Sequence, residues 1–261
     1  MSNSESQRNI PSALSEHVVI CNWSPKADTI IRELHNESVH NKRPILIITS
    51  EPELVPETTD FEYNGVYIVN GNPTEKGLLE RANVESASTV IILADENNHE
   101  YTDSESTLIS LAVGAINPDA YIIVEIINSS NLPYFEYTFV NEIICLEKLS
   151  EKLLSQSALT PGLSQVYMDL LTQSSDTNEI YLENLPERFI GLTFDECENK
   201  IIDIKEKDMI LIGFYSKKEN KTVINPKSSD KGLYSKSYIL EKEDRLFLIA
   251  YEKPELNKFS K

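Results

Sequence analysis

In the first 146 residues the apolar positions form short unbroken runs separated by stretches with helical spacing. The runs are "HVVICN" from His17, "PILIIT" from Pro44, "VYIV" from Val66, "STVIILA" from Ser88, "YIIVEI" from Tyr121 and "EIICL" from Glu142. Runs of Val, Ile and Leu without polar alternation predict strands buried on both faces, as in a parallel sheet covered by helices. The intervening segments Lys26 to Leu34, Glu75 to Ala82, 103–116 and Leu132 to Phe139 supply helices. The expected fold class is therefore α/β, a Rossmann-like doubly wound parallel sheet over residues 16–146. Residues 1–15, polar and containing Pro11, read as a flexible leader.

A different texture follows in "EKLLSQSALTPGLSQVYMDLLTQ", residues 151–173. Leu153, Leu154 and Ala158, then Leu163, Val166, Leu170 and Leu171, repeat at helical spacing on either side of Pro161-Gly162, predicting two helices joined at a sharp corner. We read residues 147–176 as a helical crossover whose apolar stripes need a partner surface. A dimer interface through Leu159, Pro161, Gly162, Val166, Tyr167 and Leu170 is the preferred use, with packing onto the chain's own domain as the alternative. Beyond it "EIYL", "DMILIGFY", "KTVI", "SYIL" and "RLFLIAY" read as short strands, with one helix from Thr193 to Lys200. They predict a small C-terminal α+β domain over 177–254, followed by a tail at 255–261.

Charge and composition narrow the function. Forty-two acidic against twenty-four basic residues give a formal charge of -18. Such a surface repels phosphate backbones, so nucleic-acid binding is disfavoured. It attracts cations, although an acidic solvated surface that keeps the protein soluble explains the same balance. Cys21, Cys145 and Cys197 are widely spaced and read as small core residues in a reducing compartment. No run approaches the length of a membrane span, and the N-terminus has no basic-then-apolar signal, so the expectation is a cytoplasmic protein.

The turn "CNWSPKA", residues 21–27, stands where a dinucleotide-binding domain carries three glycines, yet it has none. Asn22 tolerates a left-handed backbone and Ala27 is small enough for helix packing, so the fold survives. Ser24 puts a side chain where pyrophosphate needs bare backbone, and Trp23 adds bulk beside it. The second strand ends in Thr49 and Ser50, with Glu51 just beyond, rather than in a ribose-holding acid. Both departures weigh against conventional NAD binding. An adenine nucleotide remains a candidate, because the helix after Ser24-Pro25 still offers free N–H groups. With Asn72 and Asp95, these residues outline a candidate ligand crevice.

The loop "ADENNHEYTDSES" gathers Asp95, Glu96, Glu100, Asp103 and Glu105 at the C-terminal edge of the expected sheet, and Glu125 closes the fifth strand. Asp95, Glu96 and Glu125 make a candidate site for a divalent cation such as calcium; a plain solvated loop is the alternative. Asp103 or Ser104 also suits the N-cap of the next helix. Catalysis finds no support: no histidine has metal-ligand spacing, no serine lies in a nucleophile elbow, and His35 and His40 read as surface residues.

Taken in order, "HVVICNWSPKADTIIREL", "VNGNPTEKGLLERANVESASTVIILAD", "AYIIVEI", "LTPGLSQVY" and "LIGFY…KTVINP…EDRLFLIA" resemble the RCK family, regulators of potassium conductance with TrkA-N-like and TrkA-C-like lobes. The combination is specific: Gly71-Asn72-Pro73-Thr74 before a helix, Ala82-x-Val84-x-x-Ala87 after it, and Ile224-Asn225-Pro226 near the end. The resemblance implies a Rossmann-like N-terminal lobe, a crossover that builds an intertwined homodimer, and octameric gating rings beneath a potassium channel pore. It implies membrane association only through that pore, and ligands among calcium, NAD(H), adenine nucleotides and cyclic dinucleotides. Glu125 is similar to a calcium-binding carboxylate of calcium-gated members, but the companion carboxylate two residues on is Ile127 here. The resulting expectation is a non-enzymatic ligand-sensing module. Its rivals are a nucleotide-dependent oxidoreductase and an assembly domain without a ligand.

Overall fold

The computed structural model describes residues 14–36, 42–56, 64–95, 101–172, 177–204 and 208–258. The leader apart from Leu14 and Ser15, along with Glu96 and His40, lies outside these residues. The chain divides into two compact units, residues 1–160 and 161–261, so the division falls inside the predicted crossover.

Unit 1 is built on six strands: β1 Val18–Cys21, β2 Ile45–Thr49, β3 Val66–Asn70, β4 Thr89–Ile92, β5 Tyr121–Ile126 and β6 Glu142–Cys145. All neighbours are parallel, in the order β3-β2-β1-β4-β5-β6. Successive side chains on a strand point to opposite faces, and here both faces are dry. Val19, Cys21, Leu46, Ile48, Val90 and Ile92 enter one apolar cluster, whereas Val18, Ile20, Ile45 and Ile47 enter another. That is why the strands read as unbroken apolar runs. The helices α1 Pro25–Leu34, α2 Lys76–Arg81, α3 Thr102–Ile116, α4 Leu132–Phe135 and α5 Leu146–Leu159 complete the unit. Leu79 of α2 and Ile109 and Val113 of α3 close the first cluster; Ala27 and Ile31 of α1 close the second.

Two helices differ in extent from expectation. α4 stops at Phe135 instead of Phe139, because Thr138 turns back and both its N–H and its hydroxyl donate to the Phe135 carbonyl. α5 starts at Leu146, directly from β6. Gly71 sits at φ 148, and a Cβ there would meet the Leu78 side chain at 2.7 Å, so this turn of the Gly71-Asn72-Pro73-Thr74 motif requires glycine.

His35, expected at the surface, is buried, with Nε2 at 2.8 Å from the carbonyl oxygen of Arg43, just before β2. His17 is fully buried as well, and neither ring nitrogen makes a hydrogen bond of ordinary geometry among the described residues. Burial lowers its pKa, with the Ala82 backbone acting in the opposite sense. The folded state thus binds its proton less readily than the unfolded chain. Stability contributed by neutral His17 is complete above the unfolded pKa of about 6.5 and is lost as pH falls through that value toward the lower folded pKa. We expect the wild-type chain to lose thermal stability below pH 6.5, and His17→Phe to flatten this part of the profile, as read by melting curves across pH 4.5–8.

Unit 2 contains α6 Leu163–Leu171, β7 Glu179–Asn184, α7 Phe194–Ile202, β8 Met209–Ser216, β9 Lys221–Ile224 and β10 Arg245–Ala250. The sheet is antiparallel, in the order β7-β10-β8-β9. α7 opens on a capping box: Thr193 Oγ1 accepts from the Glu196 N–H, and Glu196 Oε2 accepts from the Thr193 N–H. Its Phe194, Cys197 and Ile201 pack with Phe214, Leu246 and Leu248 from the sheet. A Cβ at Gly213 would lie 2.1 Å from the Val223 carbonyl oxygen, so β8 and β9 approach this closely only through glycine.

"SYIL", predicted as a strand, forms only an isolated bridge at Ile239. Its backbone pairs instead with the loop before α7: Leu240 N donates to Leu192 O, Gly191 N to Leu240 O and Phe194 N to Tyr238 O. Its alternation is real, since Leu240 is buried and Tyr238 stacks on Phe214 at 4.7 Å, but it serves loop packing. Leu256, in the segment read as a tail, is buried in the same core, and its carbonyl accepts from Arg188.

Candidate functional site

The strand order reverses direction between β1 and β4, and in open parallel sheets the crevice beyond the strand ends at such a point is where ligands bind. Asn22 makes the turn out of β1 with φ 68, doing by side-chain tolerance what glycine does elsewhere. Its N–H donates to Ile48 O at 2.9 Å and its Nδ2 to Leu93 O at 3.2 Å, tying the turn to both neighbouring strands. Trp23 packs into the apolar cluster with Ala27, Ile31, Val55 and Leu93.

Ser24 occupies the N-cap position of α1, but its side chain makes no capping bond. Its hydroxyl is buried without a partner among the described residues. An unsatisfied buried hydroxyl at a helix N-terminus, where N–H groups and the macrodipole favour negative charge, is a place with a donor to offer.

The carboxylate of Glu125, at the end of β5, is 7% exposed. Oε1 pairs with Lys26 Nζ at 2.6 Å and Oε2 accepts from the Ala94 N–H at 3.1 Å. Lys26 was not among the residues expected here; only the fold brings α1 over β5, across 99 residues of sequence. The backbone N–H of Asp95 donates to Thr102 Oγ1 at 2.6 Å, and burial, then the charge of Asp95, holds the Glu105 pKa above the usual carboxylate value.

Thr49 is buried at the end of β2, its Oγ1 accepting from the Glu51 N–H, whereas Ser50 and Glu51 are exposed. Asn72 spends its side-chain oxygen on the N–H and hydroxyl of Thr74, both at 2.8 Å. These residues stand at the ends of β2 and β3; Asn22, Ser24, Asp95 and Glu125 stand at the ends of β1, β4 and β5.

Asp103 is a correction to the capping expectation, since Tyr101 holds the N-cap position of α3. The Asp103 carboxylate is buried and accepts from the N–H of Ile127 at 2.9 Å, the N–H of Asn128 at 3.0 Å and Asn131 Nδ2 at 2.8 Å. It braces the loop that follows β5, because that loop has backbone donors and no strand to receive them.

A calcium ion takes six to eight oxygen ligands. Among the described residues no group of three or more His, Cys, Asp or Glu could hold a metal, and both oxygens of Glu125 are engaged. Of the Asp95, Glu96 and Glu125 set, Glu125 thus presents no unengaged oxygen to a cation, and Glu96 lies outside the described residues. The thiol pKa values of Cys21 and Cys197 are pushed up to about 12 by burial, so neither supplies a thiolate.

Residues 13–124 match the domain family described as calcium-activated potassium channel slowpoke-like RCK domain. Those residues are therefore similar to RCK domains. Residues 147–259 match the family described as Castor and Pollux, part of voltage-gated ion channel. The chain is 28% identical over 209 residues to the calcium-gated potassium channel TvoK of Thermoplasma volcanium, covering 77% of this chain and 56% of that one. It is 25% identical over 248 residues to the ion channel POLLUX of Lotus japonicus, covering 90% of this chain and 25% of the relative. The human SLO3 gating ring shares the fold at a TM-score of 0.66 with 18% identity, over 90% of this chain and 44% of that chain. The chain thus spans about half the length of TvoK and a quarter of POLLUX. Among the described residues no helix is long and apolar enough to cross a membrane.

Proposed function

We propose that this chain is a cytoplasmic ligand-sensing module that regulates a potassium channel, and that it is not an enzyme. The observation that carries the reading is the slowpoke-like RCK match over 13–124, in a lobe whose switch-point crevice offers binding groups. Regulation needs no bond chemistry. A ligand that binds one arrangement of the assembled protein better than another biases a pore by its differential affinity, about 1–3 kcal/mol per site.

The module works as a homodimer through α5 and α6, with rings of eight subunits as the larger assembly. Its ligand is an adenine nucleotide, held by the α1 N-terminus and Ser24 Oγ with Asn22, Thr49, Ser50, Glu51, Asn72 and Asp95 around it. The orphaned Ser24 hydroxyl favours an acceptor-rich ligand at that end. Calcium at Glu125 is disfavoured, as is NAD held in the conventional way, because Ser24 and Thr49 stand where the dinucleotide fold needs glycine and an acid.

A thermal-shift panel of calcium, magnesium, NAD, NADH, AMP, ADP, ATP and cyclic dinucleotides tests this. We expect an adenine mono-, di- or triphosphate to raise the melting temperature, since saturation to 100 Kd stabilises the folded state by about 2.7 kcal/mol. Stabilisation by NADH with turnover of a hydride acceptor would instead establish the oxidoreductase. A protein that none of these ligands stabilises would leave only assembly as its task.

A further inference from the structure

We infer that the Lys26 ammonium is a tethered cation that takes the place of a divalent ion in this crevice, making Glu125 a structural partner of α1. The inference rests on reading the switch-point crevice as the ligand site. A carboxylate 7% exposed is tolerable only when its charge is met. Lys26 Nζ meets it at 2.6 Å, and the Ala94 N–H completes the second oxygen at 3.1 Å.

The position of Lys26 is itself informative. It lies in the first turn of α1, next to Pro25, where the helix macrodipole repels a cation. A lysine there is electrostatically misplaced unless a carboxylate faces it. Glu125 is that carboxylate, delivered by β5 from across β4.

Displacement by a free ion is disfavoured on two counts. A calcium ion sits 2.3–2.6 Å from its oxygen ligands, so on Oε1 it would overlap the ammonium and must expel it. The ammonium is attached to the helix that borders the crevice, so it rebinds intramolecularly at a high effective concentration. No cluster of further acidic groups among the described residues compensates the incoming ion. The crevice is thereby neutral at Glu125 without any metal, and this lobe responds to its ligand independently of divalent cations.

The test combines isothermal titration of calcium and of magnesium with melting curves, on wild-type chain, Glu125→Gln, Lys26→Met and Lys26→Met/Glu125→Gln. Wild-type protein is expected to show no binding that depends on Glu125 up to about 1 mM. Lys26→Met keeps the length and apolar stem of the side chain but leaves the buried carboxylate without its cation, and should lower the melting temperature at pH 7 without creating an ion site. The double substitution should recover most of that loss. The inference is overturned if wild-type protein binds either ion at a site that Glu125→Gln abolishes, or if folded Lys26→Met melts like the wild type. Should Lys26→Met fail to fold, the Glu125 carboxyl carbon resonance of the wild type decides: a saturable shift on adding calcium overturns the inference, and an unmoved resonance upholds it. The nucleotide arm of the melting panel is independent, so a protein that binds no nucleotide, yet loses melting temperature in Lys26→Met and recovers it in the double variant, would refute the ligand reading and leave the tethered cation standing.

Discussion

Replacing Asp103 with alanine is expected to cost unit 1 about 3–5 kcal/mol. The buried carboxylate receives three donors, the N–H groups of Ile127 and Asn128 and the side-chain amide of Asn131. Hydrogen bonds to a charged acceptor are each worth about 1.5–3 kcal/mol, and donors left without a partner inside the protein carry a further desolvation cost. Water entering the space left by the carboxyl group recovers part of this, which keeps the total below the simple sum. The loss should be local before it is global: the amides of Ile127 and Asn128 should exchange with solvent much faster, while those of β1 and β2 keep their protection. Asp103→Asn retains one acceptor oxygen and should cost about 1–2 kcal/mol, with exchange quickened at only one of the two amides. The braced loop follows Glu125 directly, so the alanine variant should also weaken nucleotide binding in the melting panel. Hydrogen exchange followed by mass spectrometry decides the matter. Unchanged protection at both amides would show that the loop is held by something other than Asp103.

The same residue shows where sequence reasoning reached its limit. The sheet was legible because the solvent exclusion of both faces writes itself into β1, β2 and β4 as continuous Val, Ile and Leu. Asn22 was legible because a turn at that point needs a residue that accepts positive φ, and the observed value is 68°. Asp103 looked like a cap because aspartate beside a helix start commonly is one. Its true partners come from residues 24 to 28 positions away, which nothing local announces. Lys26 is the sharper case. Beside Pro25 it reads as an ordinary solvent-facing lysine, and only the placement of α1 across β4 turns it toward Glu125. "SYIL" misled for a related reason: alternation reports which side chains are buried, and a loop that docks on a core alternates as well as a strand does. A weak signal for Lys26 did exist, in a cation placed at a helix N-terminus against the macrodipole.

Leu159→Glu is expected to weaken self-association by two to four orders of magnitude. Neither α5 nor α6 contains a single buried residue, yet Leu154, Leu159 and Leu171 are more than 70% exposed and Val166, Tyr167 and Met168 about half exposed. Exposed apolar side chains at this density on consecutive helices mark an interaction surface. In a two-fold interface one substitution is felt twice. Burying one leucine is worth about 1.5–3 kcal/mol, so its loss from both copies removes about 3–6 kcal/mol, even before the cost of seating two carboxylates against apolar surface. Val166→Glu should act in the same direction with a smaller effect, valine being the smaller side chain. Sedimentation equilibrium of wild type and both variants measures the change directly, and circular dichroism shows whether each unit stays folded. A wild-type chain that remains monomeric at every concentration would remove the dimer. A dimer that survives both substitutions would place its interface elsewhere.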